Sequence, residues 1–331
     1  MVQLSRFQSE LNKSAVCQLK KSLYGLKQAP QSWNSKITQW LHKMGFEVSK
    51  SDSSFFIQKV PKGPLCILLF VDDLAKISRV KFQLSAAFEM KDFGDLHYFL
   101  EIEVIYTPDD ILLTQRHYVL NMMYKFGMTK CRSVSTPLDQ NLKLPHKLGA
   151  PCDEKRFQQI VGSLIYLTIT RPDPSYSVEM ISQFMQRPAL EHLHCVHRIL
   201  RYVSVMKDRW LLYGHGITDQ LVGYTNVDRV EDVNDRRSTL GFKFSIGSAT
   251  IAWDSRKQPT RACSSTEPEY RGATAATCEA IWLKRLLQGL HFEVPNLILI
   301  YCNNSSSMEL AKNPVFHART KHIEVHYDFV H

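Results

Sequence analysis

The sequence predicts a mixed α/β protein, because segments typical of strands alternate with segments typical of helices. Short apolar runs bounded by turn residues, such as LCILLFV at 65–71 and ATIAWDS at 249–255, are typical of strands. Residues 153–206 have the apolar spacing of helices. The last third has the order β-β-β-α-β-α, in which strand ends and a helix start converge, and this convergence indicates a candidate site.

The first 130 residues predict a helix, two pairs of strands and a second helix with Val119, Met122, Met123 and Phe126 in register. After a basic turn, QLKKSLYGLKQAP, five apolar residues recur at helical spacing, and we expect the tryptophans among them to be core residues: Trp33, Ile37, Trp40, Leu41 and Met44. SDSSFFIQKV and LCILLFV flank a PKGP hairpin, and the second strand runs directly into Asp72 and Asp73. YFLEIEVIY and DILLTQ flank a Thr-Pro-Asp-Asp turn.

The middle of the chain predicts a connector and then helices. Residues 131–152 contain three prolines and few periodic apolar residues, so we place a domain boundary there. Two helical segments follow within 153–206, separated by TRPDPS, whose prolines interrupt a helix. His192 and His194 lie in the second segment, and helix neighbours two apart point about 200° apart, so these side chains cannot share a metal ion. We interpret them as part of a polar helix face.

The last third predicts three strands, a long helix and a fourth strand. LVGYTNV, LGFKFSI and ATIAWDS are the three strands, with a turn at Ile246-Gly247-Ser248. Ser264 and Glu267 form a capping box before a helix that reaches about Leu290, in which we expect Trp282 to be a core residue. NLILIYC is the fourth strand, followed by a short helix, SSMELAKN. Period-2 alternation places Val222, Tyr224 and Asn226 on one face of the first strand.

Composition excludes several classes of protein. Hydrophobic and charged contents of 44% and 22% are those of a soluble globular protein of 331 residues. The longest apolar run is too short to cross a bilayer, and the N-terminus lacks the apolar region of a signal peptide. Eight cysteines without a CxxC pair indicate reduced, intracellular thiols. The net charge of +9 favours a polyanionic partner such as nucleic acid.

Five motifs together resemble the reverse transcriptase region of copia-type LTR retrotransposon Pol polyproteins. They are SLYGLKQAP at 22–30, FVDD at 70–73, MKDFGDLHYFL at 90–100, IYLTITRPD at 165–173 and NPVFHARTKHIEV at 313–325. The resemblance implies a partial polymerase palm at 1–130, a helical thumb or connection region at 131–207 and a ribonuclease H-like domain at 208–331. It implies an RNA–DNA hybrid or another nucleic acid as partner, other Pol chains as further partners, no membrane, and a cytoplasmic particle or the nucleus as location.

The resemblance also assigns the polymerase residues. Asp72 and Asp73 match the family's paired acids, which hold Mg²⁺ for nucleotidyl transfer, because Mg²⁺ prefers carboxylate oxygens. Gly25, Lys27 and Gln28 match the turn that the family places near template and nucleotide. The family's remaining catalytic aspartate would precede this turn, where this sequence has only Glu10. We therefore expect no polymerase activity from this chain alone. Glu101 stands where the family usually has glycine.

In the ribonuclease H-like part, two aspartate positions of the family carry asparagine. The family's GYSDADWAGD corresponds to GYTNVDRVED here, which places Asn226 at the first position, and its YCDN corresponds to YCNN, which places Asn303 at the second. Glu269 matches the retained helix glutamate and a Mg²⁺ ligand, and Glu324 is a candidate for the fourth acid that the resemblance implies. An amide cannot neutralise or bridge two dications as a carboxylate does. Asp228 lies about 6.5–7 Å further along the strand, too far to replace that ligand. We expect no ribonuclease H activity.

Three functional classes remain open from the sequence. The retained FVDD favours an active enzyme, the basic charge favours a non-catalytic nucleic-acid-binding protein, and the lost acids favour a decayed genomic copy, a pseudogene without a selected role. The substitutions at 101, 226 and 303 are each accessible by one C-to-T or G-to-A change, which supports decay. Three basic clusters either follow a nucleic-acid backbone or form an ordinary soluble surface: Lys20-Lys21-Lys27, Arg198-Arg201 and Arg256-Lys257-Arg261.

Overall fold

The computed structural model describes most of the chain from residue 29 to residue 303. The described ranges are 29–50, 52–60, 63–68, 94–139, 142–145, 149–214, 220–228, 234–262, 266–292, 294 and 297–303. The chain divides into two compact units, one formed by Met1–Ala75 with Gly289–Phe292 and the other by Lys76–Gln288 with Glu293–His331. Helical and sheet elements occur in both units, which confirms the mixed α/β class.

Within its described residues, the first unit contains one helix and a three-stranded antiparallel sheet. Its elements are α1 (Ala29–Lys43), β1 (Glu47–Val48), β2 (Phe55–Val60) and β3 (Gly63–Leu68), in the sheet order β1-β2-β3. Ile37 and Leu41 of α1 are fully buried, as the helical spacing predicts. Trp33, by contrast, is 37% exposed, so the prediction that it is a core residue is wrong. The wide apolar face leaves its outer residue at the margin of the core.

The described part of the second unit includes a four-stranded antiparallel sheet. Its strands are β4 (Tyr98–Phe99), β5 (Ile102–Tyr106), β6 (Asp110–Thr114) and β7 (Leu211–Gly214), in chain order across the sheet. The predicted turn at Thr107–Asp110 is confirmed, with the Thr107 amide donating to the Asp110 carbonyl at 2.9 Å. β7 pairs with β6 across about a hundred residues of sequence, a contact that its four-residue length did not predict.

In the part of this unit that the structure describes, four helices pack around one apolar cluster. They are α2 (Arg116–Lys125), α3 (Glu154–Leu167), α4 (Ser175–Ser182) and α5 (Leu190–Val205). The cluster includes Met122 of α2, Leu164 of α3 and Ile199 of α5. The sequence predicted two helical segments between 153 and 206, but the structure has three, because the chain leaves the helix again before Pro188.

The TRPDPS segment does more than interrupt a helix. Arg171 is 3% exposed and donates two hydrogen bonds of 2.7 Å to the carboxylate of Asp173. Its third contact is to the Met206 carbonyl at the end of α5, also at 2.7 Å, and the Tyr202 hydroxyl donates to Asp173 at 2.8 Å. This network joins the α3–α4 connection to α5, so the motif has a structural role that the prolines alone did not indicate.

His192 is also a structural residue, but not part of a polar face. The ring is fully buried, stacks on Phe184 with centroids 3.9 Å apart, and accepts a hydrogen bond from the Ala189 amide at 3.0 Å. It therefore stabilises the start of α5, because that amide lies at the unpaired N-terminal end of the helix. The interpretation as a polar face is wrong for His192.

The other four-stranded sheet of the second unit is built from the predicted three strands and fourth strand, and the predicted long helix packs against it. Its elements are β8 (Leu221–Asp228), β9 (Thr239–Ile246), β10 (Ala249–Lys257), α6 (Thr266–Gly289) and β11 (Leu299–Cys302). The sheet order is β10-β9-β8-β11, and β11 runs parallel to β8. Ala276, Ala280 and Leu283 of α6 are buried against this sheet, whereas Trp282 is 46% exposed, contrary to its prediction as a core residue. Ser264 and the predicted helix at 306–313 lie outside the described residues. Among the described helices, none combines the length and apolarity needed to span a bilayer.

Candidate functional site

The structure describes three of the residues that the sequence proposed for a site. These are Asn226, Glu269 and Asn303. The remaining six lie outside the described residues: Gly25, Lys27, Gln28, Asp72, Asp73 and Glu324. The ribonuclease H-like part of the prediction is therefore the part whose geometry is visible.

Asn226 lies on the exposed face of β8. Burial alternates strictly along this strand, with Leu221, Thr225 and Val227 buried and Asn226 exposed. This alternation follows from the two-residue period of a strand, and it confirms the predicted face shared by Val222, Tyr224 and Asn226.

The parallel pairing of β8 and β11 brings Asn303 to Asn226. Tyr224 is paired directly with Tyr301, so the residue two positions further along each strand lies on the same face. The Asn303 side-chain nitrogen donates to the Asn226 side-chain oxygen at 2.9 Å. Two positions 77 residues apart in sequence are thus in direct contact, as a shared site requires.

Glu269 is placed on a different side of the sheet. It lies in the first turn of α6, and its side chain is 3% exposed. One turn later, a Cβ on Gly272 would lie 2.7 Å from a methyl group of Val227, so α6 approaches the buried face of β8 very closely. Asn226 alternates with Val227 and faces the other way. The structure therefore brings the two asparagines together and keeps Glu269 on the helix behind them.

This donor set does not fit a pair of divalent cations. The two amides satisfy each other by a hydrogen bond, and neither carries the negative charge that two Mg²⁺ ions require from bridging ligands. Within the described ranges, no three His, Cys, Asp or Glu side chains are grouped so as to hold a metal ion. The residues present at this sheet face are instead suited to hydrogen bonding with a neutral group.

A cleft of about 400 Å³ opens over the same sheet face. Its floor includes Tyr224, Asn226 and Lys243, and its opposite wall includes Pro172 of the α3–α4 connection and Tyr176 of α4. The Tyr176 hydroxyl donates to Asp228 at 2.9 Å, and the Trp253 indole nitrogen donates to the Thr168 carbonyl at 2.9 Å. These contacts fix the helical region against the sheet and define the cleft.

A half-buried acidic residue, Glu179, lies at the edge of this contact. Burial raises the pKa of Glu179 above its ordinary value, and the nearby charge of Asp254 raises it further, although the Lys257 amide opposes the shift. Lys257 also donates to Gln183 and pairs with Asp235, both at 2.8 Å. The helical region and the sheet are therefore joined by a polar contact that includes a partly desolvated carboxyl group.

The basic residues within the described part are largely engaged in internal contacts. Arg198 pairs with Asp139 at 2.8 Å, and Arg201 donates to the Arg132 carbonyl at 2.8 Å. Arg256 pairs with Asp254 at 3.2 Å, and Arg261 donates to the Asp235 carbonyl. A cation that already has a protein partner neutralises a phosphate less effectively, so these clusters form a weaker phosphate-binding surface than their spacing in sequence indicates.

The chain belongs to the reverse transcriptase family of copia-type retrotransposon Pol polyproteins. Residues 1–140 match the family model described as reverse transcriptase (RNA-dependent DNA polymerase). The Pol polyprotein from transposon RE1 of Arabidopsis thaliana is 38% identical over 95% of this chain. That from transposon TNT 1-94 of Nicotiana tabacum is 35% identical over the whole chain.

The chain spans only 22% and 26% of the length of these two polyproteins. A putative transposon Ty5-1 protein of Saccharomyces cerevisiae is 30% identical over 82% of this chain and is itself covered to 92%. The chain thus matches a part of each plant Pol polyprotein and nearly the whole of the yeast protein. No solved structure matches the chain.

Sequence reasoning missed the residues that build the cleft around Asn226. Lys243 is the direct cross-strand partner of Tyr224, and Trp253 is the partner of Lys243, so a correct strand register would have placed both on this face. Tyr176 carries no such signal, because it comes from a helix whose position relative to the sheet depends on tertiary packing.

Proposed function

We propose that this chain is the later part of a reverse transcriptase palm, a helical connection and a ribonuclease H-like domain that no longer cleaves RNA–DNA hybrids. One observation carries the proposal: the two positions at which the family has catalytic aspartates are asparagines in hydrogen-bond contact at 2.9 Å. Two carboxylates at this distance would repel each other unless a cation or a shared proton lay between them. Two amides need neither, because each has both donors and acceptors.

The assignment of the domains rests on the order of elements and on their pairing. Three antiparallel strands, a long helix and a fourth strand parallel to the first support the ribonuclease H-like domain. In that assignment Glu269 and Glu324 are remnants of the metal site. Asp72 and Asp73, together with Gly25, Lys27 and Gln28, are the remnant of the polymerase site, to which Mg²⁺ would bind.

A cleavage assay tests the loss of ribonuclease H activity. The whole chain should show no Mg²⁺-dependent cleavage of a labelled RNA–DNA hybrid, with an intact Pol ribonuclease H as positive control. Turnover by the wild-type chain at the rate of that control would contradict the proposal.

Restoring both acids separates a lost ligand set from a lost fold. The variant Asn226→Asp with Asn303→Asp should melt at a lower temperature than the wild type in a chelator, because two like charges in contact at an exposed site cost about 1 kcal/mol. Added Mg²⁺ should raise its melting temperature and leave that of the wild type unchanged. Identical melting curves for the two proteins under both conditions would show that the two side chains do not meet.

A second candidate function is non-catalytic nucleic-acid binding, favoured by the net charge of +9. Binding of the whole chain to an RNA–DNA hybrid should then weaken steeply as salt rises, since phosphate contacts release counterions. Affinity that does not change with salt, or no binding at all, would contradict this second candidate function.

A further inference from the structure

Two exposed tyrosines form a stacked pair on the β8–β11 sheet face. Tyr224 and Tyr301 are 48% and 54% exposed, and their ring centroids lie 5.3 Å apart with an interplanar angle of 21°. They are direct partners in the parallel pairing of the two strands. Aromatic rings of this size are usually buried or used in binding, because exposing them forfeits their large hydrophobic contribution.

The Tyr224 side chain lines the cleft. Tyr301 covers the ring from the β11 side, whereas the neighbour on the β9 side is Lys243. Tyr224 and Lys243 both line the cleft, together with Tyr176 and Trp253. An aromatic surface backed by a second ring is thus held open at the bottom of a cleft.

Hydrogen-bonding groups lie next to this ring. Asn226 follows Tyr224 by two residues on the same face, and its contact with Asn303 fixes the position of the amide. A primary amide that makes one hydrogen bond keeps further donors and acceptors, and amides of this kind match the edges of nucleobases. The order along the cleft floor is therefore an ammonium group, an aromatic ring and an amide.

We propose that this cleft binds an unpaired base of a single-stranded nucleic acid, stacked on Tyr224 with its edge against Asn226. The proposal rests on the nucleic-acid-binding function put forward above and names its ligand. Bases stack on exposed tyrosines whatever their sequence, whereas paired bases in a duplex have neither a free face nor a free Watson–Crick edge for such a site.

The size and charge of the cleft agree with this ligand. Small-molecule sites commonly have volumes of about 300–1,000 Å³, and this cleft has about 400 Å³. Asp228 and Asp254 also line it, but Asp228 accepts the Tyr176 hydroxyl and Asp254 pairs with Arg256. Lys243 adds a positive charge beside the ring, where a phosphate of the strand would lie.

The test measures binding of the whole chain to a short single strand that contains a fluorescent base analogue. Stacking on a tyrosine quenches such a base, so binding and quenching are read together. Tyr224→Ala should weaken binding about tenfold and abolish the quenching, since stacking on one aromatic ring contributes on that scale. Tyr224→Phe should retain both. Tyr124→Ala removes a tyrosine that is 82% exposed on α2 and does not line the cleft, so it should bind like the wild type.

The outcomes separate this inference from the proposed function. If the hybrid and the single strand both bind but Tyr224→Ala binds as tightly as Tyr124→Ala, the base site is wrong and nucleic-acid binding stands. If neither nucleic acid binds, both are wrong. A duplex that competes as well as the single strand would overturn the unpaired base as ligand. If a mononucleotide competes as well as the single strand, the bound base comes from a free nucleotide, and the proposed single-stranded ligand is wrong.

Discussion

The turn between β4 and β5 provides a test of the structure. In this turn, residues other than glycine have a backbone conformation that favours glycine. Phe99 and Ile102 are paired, and the two residues between them, Leu100 and Glu101, have φ angles of 46° and 59°. Two-residue hairpin turns of this kind need positive φ at both central residues, which glycine adopts without strain. Glu101 stands where the resemblance to the family predicts glycine.

The expected magnitude follows from two opposing contributions. A residue with a Cβ in the left-handed region costs about 1–2 kcal/mol. The Glu101 carboxylate, however, accepts a hydrogen bond from the Tyr98 hydroxyl, which contributes about 0.5–1.5 kcal/mol at most in an exposed turn. Glu101→Gly should therefore change the free energy of unfolding little, because relief of strain offsets the lost hydrogen bond.

Comparison with alanine isolates the backbone contribution. Glu101→Ala loses the same hydrogen bond but keeps the Cβ, so it should be less stable than Glu101→Gly by about 1 kcal/mol. Gln159, exposed within α3, provides the control: there the alanine variant should be more stable than the glycine variant by about 1 kcal/mol. Urea unfolding followed by circular dichroism gives all four free energies.

Two results would refute this reasoning. Equal stability of Glu101→Ala and Glu101→Gly would show that residue 101 does not have a left-handed backbone. The Tyr98 contact has its own measurement, because the hydrogen bond to Glu101 raises the pKa of Tyr98 to about 12. NMR titration of ring-labelled tyrosine should show a lower pKa in both variants, and an unchanged pKa would mean that the two side chains are not in contact.

Two further predictions concern carboxyl groups of the helical region. Asp173→Asn should cost about 3 kcal/mol by leaving the buried guanidinium of Arg171 without its charged partner. Burial alone would raise the pKa of Asp173, but hydrogen bonds from Arg171 and Tyr202 outweigh it and lower the pKa, so the wild type should lose this stability as pH falls through the carboxyl range. A wild type and variant with parallel pH profiles would contradict this. For Glu179, whose pKa is raised, the neutral form is favoured and stability is lost as pH rises from the ordinary value through the raised one. Glu179→Gln should therefore be more stable than the wild type at neutral pH, measured by thermal melting, and a less stable variant would show that the charged form is the favoured one.

Local periodicity correctly predicted most elements of the sheet formed by β8 to β11 and of the helix α6 packed against it. The alternation along β8, the turn at Gly247 and the position of α6 all depend on residues close together in sequence, so these features were visible in the pattern. Local periodicity did not predict the break between α4 and α5, nor the short strand β7 in the sheet formed by β4 to β7. β7 has four residues, and what holds it is its pairing with β6, a partner that no local pattern specifies.

Residue type was a poor guide to burial at several positions. Trp33 and Trp282 are exposed although they are large and apolar, whereas Arg171 and His192 are buried although they are polar. Burial of the last two is possible because each has specific partners, namely Asp173 with the Met206 carbonyl for Arg171 and the Ala189 amide with Phe184 for His192. Composition does not reveal such partners, because they are either distant in sequence or positioned by the geometry of a helix cap.

The sequence by itself determined the family and the presence of neutral asparagines at positions 226 and 303, because motifs and the charge of a side chain are properties of residues. Only the tertiary structure decided that these two positions touch, that Glu269 lies behind the sheet from them, and that Tyr224 and Tyr301 stack beside them. The physical reason is the parallel pairing of β8 with β11: its register decides which side chains share a face, and it forms between segments more than seventy residues apart.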